Sequence, residues 1–158
     1  MRTITKVFLL LSIVWVSSTF TGCRLSVAPT SQTLSEQEVL DLFNNWNDAL
    51  QTGDPHQVAA LYSYKATLLP TVSNKVRHNH EEIADYFEHF LELDPSGIIN
   101  ESNIRVFDGL AMNSGIYTFS VKVNDSISEV QARFSFVYEL IDDDWLIIAH
   151  HSSAMPEH

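Results

Sequence analysis

The feature that most constrains this chain is a change of hydrophobic period near residue 97. Up to Gly97 the apolar residues recur every three or four positions, and beyond it they alternate with polar ones. The first spacing is that of amphipathic helices, the second that of half-buried strands. A chain that places its helices first and its strands afterwards is expected to fold as an α+β domain, the helices packed on an antiparallel sheet.

Local signals give the elements. Ser35 with Glu38 three residues later, flanked by Leu34 and Val39, is a capping box with a hydrophobic staple. Val39, Leu42, Phe43, Trp46, Ala49 and Leu50 continue that helix to a stop at Gly53. Asp54-Pro55 restarts a second helix with Val58, Leu61 and Tyr62 on its apolar face. Residues 65–69 read as a short strand ended by Pro70, and 71–78 as a loop. A third helix runs from an Asn79 cap through Ile83, Tyr86, Phe87, Phe90 and Leu91 to Pro95. Strands are predicted at 103–107, 111–123, 128–141 and 145–152, with turns at Asp108-Gly109, Asn124-Asp125 and Asp142-Asp143-Asp144. A long twisted sheet wrapped around three helices forms a cone whose mouth can hold a ligand.

The N-terminus reads as an address. Arg2 and Lys6 precede the apolar run VFLLLSIVWV at 7–16, and residues 17–22 are small and polar apart from Phe20. This is a secretory signal, too short to span a bilayer as a helix. Its end, Phe20-Thr21-Gly22-Cys23, resembles the bacterial lipoprotein signal, which implies lipidation at Cys23; ordinary secretion is the alternative. The domain plan is therefore a signal peptide at 1–22, a tether at 23–33 and one folded domain at 34–158. The expected location is exported, anchored to a membrane through the Cys23 lipid and facing the periplasm or cell exterior. Removing residues 1–22 takes two positive charges and no negative ones from a net charge of −11, leaving −13. Such a chain has no electrostatic footprint for nucleic acid and is repelled by anionic membrane surfaces. Cys23 is the one cysteine, which excludes an internal disulfide and a multi-cysteine zinc site.

Several segments, in this order and spacing, carry a family resemblance: WNDALQTGDP at 46–55, LLPT at 68–71, IADYF at 83–87, GIYTF at 115–119, ARFSFVY at 132–138 and WLIIAHHSSAMP at 145–156. They resemble the nuclear transport factor 2-like superfamily, and within it the association-domain family of calcium/calmodulin-dependent protein kinase II with its stand-alone bacterial, SnoaL-like relatives. The resemblance implies a cone-shaped fold, assembly into a homodimer or larger ring through the outer face of the sheet, and a deep pocket that contains arginines in the kinase-attached members. Arg133 aligns with one of those arginines, whereas Phe119 and Ser152 stand where the others would be. No kinase domain is present, and no dinucleotide-binding glycine motif, so no cofactor is predicted.

Alternation on the 128–141 strand puts Arg133, Ser135 and Val137 on one face and Phe134, Phe136 and Tyr138 on the other. If Arg133 faces the cone it needs an anion, which a ligand carboxylate would supply; a salt bridge is the alternative. Whichever set faces outward would help form an association surface. By the same alternation His150 shares a face with Ile148 and Ser152, and His151 with Ile147, Ala149 and Ser153. Either histidine is a weak candidate for a general base. Trp46, Tyr62, Tyr86 and Tyr117 are candidate pocket aromatics, with plain core packing as the alternative. Arg77, in the 71–78 loop, is placed to cover the mouth or to sit on the surface. His78 and His80, with His150, His151 and Glu157 elsewhere, are too weak a pattern to predict a metal. The functional expectation is an oligomeric domain binding a small anionic organic molecule. An isomerase, dehydratase or cyclase on the same fold and a pure oligomerisation module are the rivals.

Overall fold

The computed structural model describes residues 33–156, so the signal peptide, Cys23 and most of the tether lie outside the described residues. Three helices, α1 (Glu36–Gln51), α2 (Pro55–Ala59) and α3 (His80–Leu91), and five strands, β1 (Tyr62–Leu69), β2 (Ser96–Phe107), β3 (Leu110–Val123), β4 (Ser126–Ile141) and β5 (Asp144–Ala154), make an α+β fold.

Each helix begins where a side chain satisfies its first free N–H groups. Ser35 Oγ accepts the Glu38 N–H while the Glu38 carboxylate accepts the Ser35 N–H at 2.7 Å, which holds that carboxyl below the usual glutamate range. Asp54 accepts the His56 N–H at 2.9 Å, and Asn79 accepts the Glu82 N–H at 2.9 Å. The second helix is shorter than its sequence pattern suggested. It ends at Ala59, and Tyr62 opens β1 instead of closing the helix. Similarly, β2 begins at Ser96, directly after the turn that follows α3, where the sequence predicted a strand from 103.

The strands form one sheet in the order β1-β5-β4-β3-β2, with β1 parallel to β5 and the other pairs antiparallel. The β3–β4 and β4–β5 hairpins turn on residue pairs in the left-handed region, Asn124-Asp125 and Asp142-Asp143, as tight two-residue turns require. The register shifts in three of the strand pairs: β2–β3 between Ile99 and Glu101, β4–β5 opposite Val137 and Tyr138, and β1–β5 between Tyr62 and Thr67. The β2 bulge explains Gly115. A Cβ there would lie 1.9 Å from the Glu101 carbonyl oxygen, so the two backbones can meet only at a glycine.

The inner face of this curled sheet packs on α1 and α3. Val39, Phe43, Trp46 and Leu50 are the buried face of α1, and from it Phe43 and Trp46 meet Phe134 and Phe136 of β4, with ring centroids 6.3 Å apart for Phe43–Phe134 and 5.3 Å for Trp46–Phe136. Asn47 Oδ1 accepts the Gly97 N–H at 2.7 Å and ties α1 to the start of β2. The alternation of β4 resolves accordingly. Phe134, Phe136 and Tyr138 are buried, and Arg133, Ser135 and Val137 face outward.

Gly115→Ala should lower stability by about 1–3 kcal/mol, the range for forcing extra atoms into a packed site, since the neighbouring atom is backbone and cannot swing aside. Urea denaturation checks this; a midpoint equal to wild type would mean that the β2 bulge can relax.

Candidate functional site

A line of hydrogen bonds crosses the inside of the cone. Trp46 Nε1 on α1 donates to the Tyr62 hydroxyl on β1 at 3.0 Å, and that oxygen lies 2.8 Å from His150 Nδ1 on β5. All three side chains are buried. Phe136 stacks on the His150 ring at a centroid distance of 3.9 Å, and Trp46 meets it edge-on at 5.4 Å. Burial in this aromatic cage, with the adjacent His151 adding a smaller like-charge effect, pushes the His150 imidazole down to about 3, so the ring is neutral at physiological pH. Burial likewise raises the Tyr62 phenol well above the ordinary tyrosine value, and no hydroxyl here ionises near neutrality.

Against this line opens a cavity of about 90 Å³. That is several times the ~10–15 Å³ one water needs. Its inner end is walled by Trp46, Phe87, Tyr117, Phe119, His150 and Ser152, and Val72 and Val130, both exposed, stand at its rim. A second polar chain lies on the wall: the Tyr117 hydroxyl donates to Ser152 Oγ at 2.5 Å, and Ser152 Oγ is hydrogen-bonded to Thr71 Oγ1. None of the described residues lining the cavity is charged. An anion inside would therefore lose its hydration without gaining a counter-charge, which costs several kcal/mol.

Five of the expected site residues come together here: Trp46, Tyr86, Tyr117 and His150 line the cavity, and Tyr62 stands directly behind His150. Three do not. Arg133 is exposed on the outer face of β4, where its guanidinium reaches the Ala154 carbonyl at 3.4 Å. Its outward position follows from the burial of Phe134 on one side and Phe136 beyond it, since neighbours in a strand alternate. His151 is exposed on that same outer face, beside Ser135 and Ser153. Arg77 is buried, not at the surface: its backbone bridges to Leu68, and its guanidinium pairs with Asp85 at 2.8 Å and lies 6.0 Å from the Tyr86 ring. It touches a second recess that shares Val72, Tyr86, Phe90 and Leu93 with the cavity, with its charge already matched.

One predicted face assignment also changes. The β4–β5 bulge puts Ile147 on the inner face with His150, where strict alternation paired it with His151. His80 Nε2 donates to the Tyr62 carbonyl at 2.7 Å, and among the described residues no group of three His, Cys, Asp or Glu side chains is placed to hold a metal. Thr71, Phe119 and Ser152 line the cavity as well, though nothing in the sequence pattern marks them as pocket residues. Phe119 and Ser152 were noted in the sequence only as stand-ins for arginines, and both face the cavity.

Helices held inside a curled sheet, with an aromatic cavity between them, define a nuclear transport factor 2-like cone. Comparison with solved structures agrees. A dehydratase-assigned protein of the nuclear transport factor 2-like family from Streptomyces avermitilis superposes with a TM-score of 0.65 at 12% identity, over 77% of this chain and 96% of that one. The hub homology domain of calcium/calmodulin-dependent protein kinase II from Chlamydomonas reinhardtii gives 0.63 at 18% identity, over 76% and 97%. Much nearer in sequence is a Xanthomonas campestris protein assigned as a calcium/calmodulin-dependent protein kinase II association domain, with 52% identity and a TM-score of 0.77 over 79% of this chain and 91% of that one. The family model of the calcium/calmodulin-dependent protein kinase II association domain matches residues 35–156, and the chain belongs to that family. The matched unit is an association domain, not a kinase domain. A search of curated proteins finds no match.

The neutral His150 makes stability depend on pH. An unfolded histidine titrates near about 6.5, so between pH 6.5 and about 3 the unfolded chain binds a proton that the folded chain refuses. The contribution is complete above pH 6.5 and declines as pH falls, by up to about 1.4 kcal/mol per unit. His150→Gln should melt lower than wild type at pH 7 but lose less on going to pH 4.5. Melting curves with parallel pH slopes for the two proteins would show that His150 is not the group responsible.

Proposed function

We propose that this chain is an exported, lipid-anchored, self-associating domain that encloses a small, neutral organic molecule in its cone. The cavity carries the ligand half of the reading: it is mostly apolar, free of charged side chains and open at an exposed apolar rim. Such recesses are the usual seat of small ligands. The anionic ligand expected from Arg133 loses its support, because that arginine faces away.

Self-association is supported by membership of an association-domain family and by the hub named for the algal relative. The outer sheet face is the surface for it. There Met112, Val137 and Ala149 lie in one row across β3, β4 and β5, all half-buried in the single chain, with Ser114, Ser135 and His151 in the adjacent row. A face of small and apolar side chains on a rigid sheet is self-complementary under a twofold axis. The lipid anchor rests on the signal-like segment ending at Cys23.

Native mass spectrometry of the purified chain reads subunit count and retained molecules together. Wild type should appear as an oligomer carrying a neutral adduct, whereas Val137→Asp, with its near-ultraviolet circular dichroism unchanged, should appear as a single subunit. An oligomer free of adduct across independent preparations would remove the ligand half, and an unaltered oligomer for Val137→Asp would remove the outer face as the interface.

The anchor has its own check. Cys23→Ser should move the protein from the membrane fraction to the soluble exported fraction, and a variant that stays with the membranes would rule out the lipid.

A further inference from the structure

A polar group inside the cone serves a ligand only if it is both free and reachable. The Tyr62 hydroxyl is bonded to Trp46 and His150, and Tyr117, Ser152 and Thr71 are bonded to one another. Four atoms without a partner among the described residues, Arg77 Nε, Asn113 Nδ2, Tyr138 Oη and His150 Nε2, are enclosed by protein and out of a ligand's reach. The Tyr86 hydroxyl belongs to neither group. Among the described residues it has no hydrogen-bond partner, yet it is not one of the enclosed atoms, so it keeps accessible surface in a side chain that is only 8% exposed. The openings beside Tyr86 are the main cavity and the second recess, for it lines both.

The ring is held at that seam. Phe87 meets it edge-on at a centroid distance of 5.2 Å, and Phe90 stacks on it at 5.8 Å. The Arg77 guanidinium carbon lies over the ring, 6.0 Å from its centroid, while Arg77 Nη1 pairs with Asp85 at 2.8 Å. His89, the other ionisable side chain of the second recess, stands 4.0 Å from the Glu92 carboxylate. Both basic groups beside Tyr86 thus have an acidic neighbour, and the seam offers no unmatched charge. Burial raises the Tyr86 phenol above the ordinary tyrosine value, and the nearby Arg77 charge offsets this in part. The hydroxyl therefore stays protonated at neutral pH, and the cation beside it makes the O–H the better donor. Any molecule that fills the cavity up to this point takes the hydroxyl out of water. It then has to supply an acceptor or leave a buried donor unmatched.

We infer that the enclosed molecule is an amphiphile whose apolar body fills the cavity and whose one neutral oxygen head, an alcohol, ketone or ester, accepts the Tyr86 hydroxyl hydrogen where the two recesses meet. This rests on the reading that the cavity holds a small molecule, and it adds the head group and its orientation. The body lies against Trp46, Phe87 and Phe119, and the head stays near Val72, the exposed residue that both recesses share.

Benzyl alcohol, toluene and benzoate share a ring and differ in the head. Each is titrated into the full chain as expressed and into Tyr86→Phe, with binding read from the aromatic side-chain signals in nuclear magnetic resonance spectra. Wild type should bind benzyl alcohol about tenfold tighter than toluene, the scale of one satisfied buried donor, and benzoate weakest. In Tyr86→Phe the preference for benzyl alcohol should vanish, while toluene binds as it does to wild type. This variant deletes an unbonded hydroxyl from an aromatic cluster, so it should melt no lower than wild type; a lower melting temperature would show the hydroxyl already bonded within the chain and overturn the inference. Benzyl alcohol binding wild type no tighter than toluene, or a preference that survives in Tyr86→Phe, overturns it too and leaves the cavity as a binding site. Benzoate binding tightest does the same to the neutral head. If none of the three binds wild type, the reading of the cavity as a ligand site falls, and this inference falls with it.

Discussion

The Trp46–Tyr62–His150 line is the constraint around which the cone is organised. It joins α1, β1 and β5 through side chains separated by 16 and 88 residues in the chain. Each polar group left unmatched in an aromatic interior costs on the order of 1–3 kcal/mol, so the bonds that Tyr62 makes to Trp46 and His150 favour this one arrangement of the three side chains. That preference fixes relative positions that hydrophobic packing alone leaves loose. It also places β1, the one parallel strand, on the β5 edge of the sheet: Tyr62 pairs in register with Ile147, and Leu68 with His150. Sheet order and polar line are therefore mutually dependent, each holding the other in place.

The same line decides the character of the cavity. A neutral histidine in this position is compatible with neighbours that carry no charge, and the wall around it consists of aromatic rings, aliphatic groups and hydroxyls. Arginines have no role there. Arg133 lies outside, and Arg77 is neutralised by Asp85 at one edge. The strongly acidic net charge of the chain is likewise kept off the described residues of the inner wall.

Much of the fold was legible in the sequence because its signals are local. Capping boxes, left-handed turn pairs and the change of period are short-range statements about which backbone states a few residues prefer. The Ser35 and Asn79 caps and the Asn124-Asp125 and Asp142-Asp143 turns appear where they were expected. What failed depended on the third dimension. Alternation sorts β4 correctly into two sets, but only packing against α1 says which set is inside, so the sequence leaves the side of Arg133 open and the structure puts it outside. A bulge near Ile148 is invisible to a period-2 reading, so Ile147 was assigned to the opposite face. Tyr62 fitted a helical spacing equally well, and its place on β1 is decided by partners on α1 and β5. Among the candidate site residues, the buried aromatics were recognisable by type, but nothing in the sequence distinguished His150 from His151.

That adjacent pair shows how the sheet divides its labour. Consecutive residues on β5 face opposite ways, His150 into the cavity and His151 onto the outer face, and their neighbours on β4, Phe136 and Ser135, divide in the same manner. The cavity wall and the proposed association surface are thus two sides of one layer, about one backbone thick. Closely packed layers shift between discrete arrangements more readily than they deform. A ligand that altered the curvature of β4 and β5 from within would therefore alter the face presented to a partner. By linkage, association would in turn alter the ligand's affinity to the same degree. The sign of such a coupling would depend on whether an occupied cavity favours the curvature that an assembled sheet adopts.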